Sequence, residues 1–211
     1  MSRLRLNTIA APSSPAANKV EIYASQDSPP ILRVIDTAGN NNTIIEPANF
    51  NTVLQTPTAA TRTYITGSNI KIPAVKLKIG TIFRWNITMT KTAAGIAAST
   101  FDIAFGTLGT TGDAARVSFT KPAGTGVADE ALVQIMAIVR GPLSASGVVV
   151  GTFQMTHNLA ATGHAVIPCV NVTTISAGFD VTTPTNVGVC ITTGASDAIT
   201  IQLVMAEAIN L

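Results

Sequence analysis

Charge is scarce in this chain of 211 residues: Asp, Glu, Lys and Arg together make up 11%, against 46% hydrophobic residues. An average soluble domain carries about 25% charged residues. The scarcity deepens along the chain, since no Lys or Arg follows Arg140, and the acids beyond it are Asp180, Asp197 and Glu207. A surface so poor in charge is expected to lie against copies of itself or a larger assembly. The thirteen cations are scattered, apart from Arg3/Arg5 and Lys71/Lys76/Lys78, and the net charge is only +2. Nucleic-acid binding needs a concentrated basic face with aromatic platforms, so no nucleic-acid partner is expected.

Long apolar runs are missing too. Windows such as Leu132–Val139 and Val187–Thr193 are soon broken by Gly, Pro, Asn or Thr, far short of the roughly 20 residues of a spanning helix. The mean hydropathy of +0.40 therefore does not imply a membrane protein. The opening MSRLRLNTIAAPSSPAANK has no apolar core of signal-peptide length, and aromatics amount to 5%. Both features argue against an outer-membrane barrel with aromatic girdles, and no membrane partner is expected. Cysteine is limited to Cys169 and Cys190, both inside apolar runs. Buried free thiols are the favoured reading over a disulfide, because nothing marks an oxidising compartment.

What is present is Val, Ile and Ala mixed with Thr and Gly in short alternating runs, which reads as β-structure. Residues 1–16 alternate at Arg3, Leu4, Arg5 and Leu6, then pass into APSSPAA, where Pro12 and Pro15 break any regular element. This segment is expected to be extended, held away from its own hairpin by the prolines, and to attach the protein to a partner through Arg3, Leu4, Arg5 and Leu6. Residues 17–48 form a β-hairpin unit: Val20, Ile22 and Ala24 alternate, SQDSPP turns the chain, Ile31–Ile35 returns, and AGNNN turns it again before Thr43–Glu46. One such hairpin is marginal alone in water, so three copies are expected to pack around an axis through Val20, Ile22, Tyr23, Leu32 and Val34.

Residues 49–65 lack periodicity and read as a linker, and 66–211 read as a β-sandwich of jelly-roll type. The strand candidates there are Ala74–Ile79, Thr81–Lys91, Ser99–Gly106, Ala114–Lys121, Leu132–Arg140, Gly147–His157, Ala165–Ile175, Asn186–Thr193 and Ala198–Glu207. Turn-rich stretches such as GTLGTTGD and GPLSASG separate them, a spacing that suits a sandwich or barrel. ADEALVQIMAIVRG could also be a helix closed by Gly141-Pro142, but the following VVVGTF favours a strand.

No constellation of catalytic residues emerges. His157 and His164 lack the third and fourth ligands that zinc requires, and their spacing fits no helical motif. There is no GxSxG, and neither cysteine has a neighbouring histidine. Asp102, Asp113, Asp129 and Glu130 could supply a glycosidase pair, yet the last three sit in turn or strand-edge contexts. GTLGTTGD lacks the lysine of a phosphate loop. AGNNN suits left-handed turn geometry better than calcium. The single tryptophan, Trp85, reads as a core anchor. Neither enzymatic activity nor a metal or cofactor is expected.

The block from Pro15 through Lys19, Val20, Tyr23, Asp36 and Gly39 resembles an N-terminal unit of tailed-bacteriophage fibre and decoration proteins. There a Pro-x-x-x-Lys-Val-x-x-Tyr hairpin precedes a short strand and an Asp-x-x-Gly turn. IGTIFRWNITMTKTAAG and FDIAFGTLGT are similar to the knobs of such proteins. The resemblance covers about 30 residues firmly, and the long repetitive shaft of a full tail fibre is missing. It implies hairpins assembled as a trimeric prism carrying a sandwich knob. It also implies a homotrimer in the virion, bound to the major capsid protein or another virion protein. A capsid decoration protein or head fibre is the leading expectation. A receptor-binding tail fibre for host surface glycans is the alternative, and a glycan-cleaving spike a weaker one.

Overall fold

A computed structural model of the chain describes residues 8–10, 21–25, 32–35, 41–43, 48–72, 77–167, 169–176, 178–183 and 185–211. It is all-β. Near the N-terminus, β1 (Thr8–Ile9), β2 (Glu21–Ser25), β3 (Leu32–Ile35) and β4 (Asn41–Thr43) form a four-stranded sheet in chain order. The expected hairpin is β2–β3, with Ile22 opposite Val34 and Tyr23 opposite Arg33. Two expectations change here. Thr8 and Ile9 pair in parallel with Ala24 and Ser25, so part of the N-terminal segment lies against its own hairpin despite Pro12 and Pro15. The second turn is shorter than expected, because Asn41–Thr43 already forms a ladder with Arg33–Ile35.

The rest is a sandwich of two sheets. One has six strands in the order β13 (Cys169–Ile175), β12 (Val149–His157), β11 (Asp129–Val139), β8 (Ile82–Lys91), β15 (Ile199–Ile209) and β5 (Ala48–Asn51). The other runs β10 (Ala114–Lys121), β9 (Ser99–Gly106), β14 (Thr185–Thr192), with β6 (Thr63–Tyr64) and β7 (Ile70–Ile72) both on the free side of β14. Among the long strands β8–β15, the first pairs with the last, β9 with β14, and β11 with β12. This nested pairing is the jelly-roll-like feature. The sheets stay unequal because β10 remains beside β9, and β8 lies beside β11.

Alternation sets the core. In β8, Phe83, Trp85, Ile87 and Met89 point inward and are buried, while Arg84, Asn86, Thr88 and Thr90 look outward. The 129–139 segment is a strand, not a helix, with Val133, Ile135, Ala137 and Val139 buried at period two. Phe153 of β12 joins the sheets, its ring centroid 5.3 Å from Phe101 and 5.6 Å from Phe119. Gly151 permits the close approach: a Cβ there would lie 2.9 Å from both Phe119 and Val117. Trp85 is buried as expected, and its indole N–H donates to the Ser68 carbonyl at 2.8 Å.

The stretch read as a linker is built into the sandwich. Ala48–Asn51 pairs with Val204–Glu207, Gln55 bridges Ile201, and Thr63–Tyr64 pairs with Cys190–Ile191. Such edge strands are two to four residues long, too short for periodicity to be seen in sequence. Of the strand candidate Ala74–Ile79, residues 74–76 lie outside the described residues and Leu77–Ile79 is not strand.

Candidate functional site

Two buried polar clusters are candidates for chemistry. In the first, Asp129 opens β11 with a side chain that is only 1% exposed. Its carboxylate accepts from His157 Nδ1 at 2.8 Å, from the His164 main-chain N–H at 2.9 Å and from the Glu130 N–H at 2.9 Å. These bonds hold its pKa below the usual carboxylate value, against the opposing effect of burial. Beside it, Lys121 Nζ donates to the carbonyls of His164 and Pro122 at 2.6 and 2.7 Å. Lys91 Nζ spends three donors on the carbonyls of Thr92, Thr125 and Val127.

His164 is fully buried, and neither ring nitrogen has a hydrogen-bond partner among the described residues. Burial drives its pKa down to about 4, so the ring is neutral at pH 7. Through the main-chain bonds of Lys91, Lys121 and Asp129, this cluster ties the ends of β8, β10 and β11 to the 122–127 and 163–165 loops. The sequence gives no sign that His157 and His164 converge on Asp129, because His157 reaches it through strand pairing and His164 through the 163–165 turn.

The second cluster joins Arg62 to β9. Its guanidinium grips the Asp102 carboxylate through Nη2 at 2.6 Å and Nε at 2.9 Å, while Nη1 donates to the carbonyls of Thr111 and Asp113. Asp113 in turn accepts from the Leu108 and Gly109 N–H groups. The pair is bidentate and buried on the Asp102 side, and the group clamps the 107–113 loop. Cys190 lies opposite both Asp102 and Tyr64, and burial pushes its thiol up to about 12. Cys190 and Cys169 are buried and unbridged. Among the described residues, no three His, Cys, Asp or Glu side chains are placed to hold a metal ion.

The outward face of the six-stranded sheet has a different character. Across neighbouring strands it presents Phe50, Met205, Asn86, Gln134 and Gln154 in one row, and Leu203, Thr88, Leu132 and Thr156 in the next. Gln134 donates to Asn86 at 3.2 Å, and Gln202 to Thr90 at 3.0 Å. The charges near its middle, Arg84 and Glu207, face each other at 3.6 Å and are both half-exposed. Amides and hydroxyls offering both donors and acceptors suit uncharged polar ligands such as sugar hydroxyls.

At the β5 edge this face turns apolar, with Phe50 71% and its partner Met205 52% exposed; in the loop that follows β5, Val53 is 70% and Leu54 62% exposed. Sequence reading passed over these residues as linker; the legible signal was three large apolar side chains within the polar stretch NFNTVLQT. Of the residues expected to trimerise, Ile22 is exposed, Val34 half-buried and Tyr23 buried. Ile22 and Tyr23 are adjacent in a strand and so occupy opposite faces, which splits the expected set. Leu32 lies in β3, its side chain outside the described residues, as are Val20 and the attachment residues Arg3, Leu4, Arg5 and Leu6.

Comparison with protein-family models and with curated proteins finds no match to this chain.

Proposed function

We propose that the protein is a structural component of a tailed-bacteriophage particle, a homotrimer that decorates the capsid or forms a short head fibre. The observation that carries this reading is the combination of 11% charge with large apolar side chains left uncovered on an ordered sandwich: Phe50, Val53, Leu54 and Met205 are each more than half exposed. Single exposed apolar residues are ordinary, but Phe50 and Met205 are cross-strand partners and Val53 and Leu54 follow within the same short segment, a density of exposed apolar side chains that suits an interface. The N-terminal likeness to fibre and decoration proteins supports the biological setting and trimer contacts in the hairpin, and the alternation of Arg3, Leu4, Arg5 and Leu6 supports a virion contact in that segment.

A second reading, a receptor-binding tail fibre, is favoured by the amide and hydroxyl row of Asn86, Gln134 and Gln154, which would suit host surface glycans. Copy number separates the two. Gel densitometry of purified particles should give tens to hundreds of chains per particle for decoration and a handful for a tail fibre. Absence of the chain from purified particles would remove both.

A further inference from the structure

We infer that Gly163–Ala165 is an acid-released latch: protonation of the buried His164 ring expels it from the end of the sandwich and frees the β12–β13 connection while the two sheets stay folded. The device needs no partner chain.

The latch is a short buried stretch within an exposed loop. Gly163, His164 and Ala165 are buried, whereas Ala160–Thr162 before them and Val166 and Ile167 after them are exposed. Four hydrogen bonds dock it. The His164 N–H donates to Asp129 at 2.9 Å and the Gly163 N–H to Thr125 Oγ1 at 2.7 Å. The Thr125 N–H donates back to the Gly163 carbonyl at 2.9 Å, and Lys121 Nζ to the His164 carbonyl at 2.6 Å. None of the four belongs to a strand ladder, so all can be lost with both sheets intact.

The surroundings accept a neutral ring and oppose a charged one. Neither His164 nitrogen has a hydrogen-bond partner among the described residues. The charged and titratable groups facing the ring are Asp129 from β11, Lys121 from β10, Lys91 from β8 and His157 from β12. Asp197 and Cys169 act on Lys121. Two of the groups facing the ring are therefore ammonium groups. The carboxylate among them, Asp129, already accepts from His157, from the Glu130 N–H and from the latch itself. A proton on the ring gains no acceptor and sits beside two cations, an uncompensated buried charge that moving into water relieves. Burial holds the folded ring near pKa 4, against about 6.5 in water. Between those values acid favours the open loop, and the open population should rise on the order of 50-fold from pH 7.5 to 4.5.

Hydrogen–deuterium exchange of the full-length chain at pH 7.5 and 4.5, corrected for the intrinsic pH dependence of amide exchange, tests the latch. The informative peptides span 160–167, where Gly163 and His164 carry the docking amides. They should lose protection by tens of fold on acidification and, at pH 4.5, exchange at least tenfold faster than peptides from the centres of β8 and β11. His164→Leu, which has no ring to protonate, should show no such loss. Three results would each overturn the inference: unchanged protection of the loop in the unmodified chain, one common exchange rate for loop and strands, or a pH response that survives in His164→Leu. The first two are read on unmodified protein and so hold even if the variant does not fold.

Discussion

At the scale of single residues, His164 couples the fold to pH. Its folded pKa is about 4, lowered first by burial and further by Lys121, Lys91 and His157, with Asp129 pulling the other way. An exposed histidine titrates near 6.5. Between these values the unfolded chain binds a proton that the folded chain does not, so stability rises with pH across that window and falls on acidification. The loss expected from pH 6.5 to 4 is on the order of 3 kcal/mol. Asp129, whose folded pKa is depressed, adds its own loss only further down, below the ordinary carboxylate value. Urea titrations across pH 4–7 should show the slope in the unmodified chain and a flatter one in His164→Leu. Equal slopes would mean that this ring does not set the dependence. Gly163 sits beside the same cluster with φ +82°, and a Cβ there would collide with the Asp129 carboxylate. Gly163→Ala should therefore cost at least about 1–2 kcal/mol in chemical denaturation.

At the scale of elements, the long strands carry the fold, and they were the legible part of the sequence. Ser99–Gly106 and Ala114–Lys121 match their expected bounds, because each is a run of eight residues rich in β-formers that ends in a clear turn. The 129–139 segment is the ambiguous one; its alternation extends three residues ahead of Leu132, through Asp129 and Glu130, which the sequence places in turn or strand-edge contexts. What escaped was short or long-range. The edge strands β5, β6 and β7 are defined by their partners on β14 and β15, and their own patterns are too brief to declare them. The Asp129–His157 contact spans 28 residues and the Arg62–Asp102 pair 40, so neither spacing resembles a motif. Phe153 is the clearest energetic test at this scale, since it bridges β12 to β9 and β10. Phe153→Ala should destabilise the sandwich by about 3–5 kcal/mol, read from the midpoint of urea unfolding. A loss below about 1 kcal/mol would mean that the two sheets do not depend on this contact.

At the scale of the whole molecule, the single chain leaves apolar surface uncovered at both the N-terminal sheet, through Ile22, and the β5 edge of the sandwich. Assembly of the proposed trimer would cover such surface. The proposed attachment to a particle would be separable from assembly, because residues 2–7 precede β1. Deleting them should leave the solution mass and the circular-dichroism spectrum unchanged while abolishing incorporation into particles, scored by gel densitometry. Normal incorporation would move the attachment site elsewhere in the chain. The proposed function depends on the trimer, and light scattering of the full-length protein at micromolar concentration tests it most directly. Three chains of 21.7 kDa give about 65 kDa, the mass expected; a stable species of 21.7 kDa would rule the trimer out.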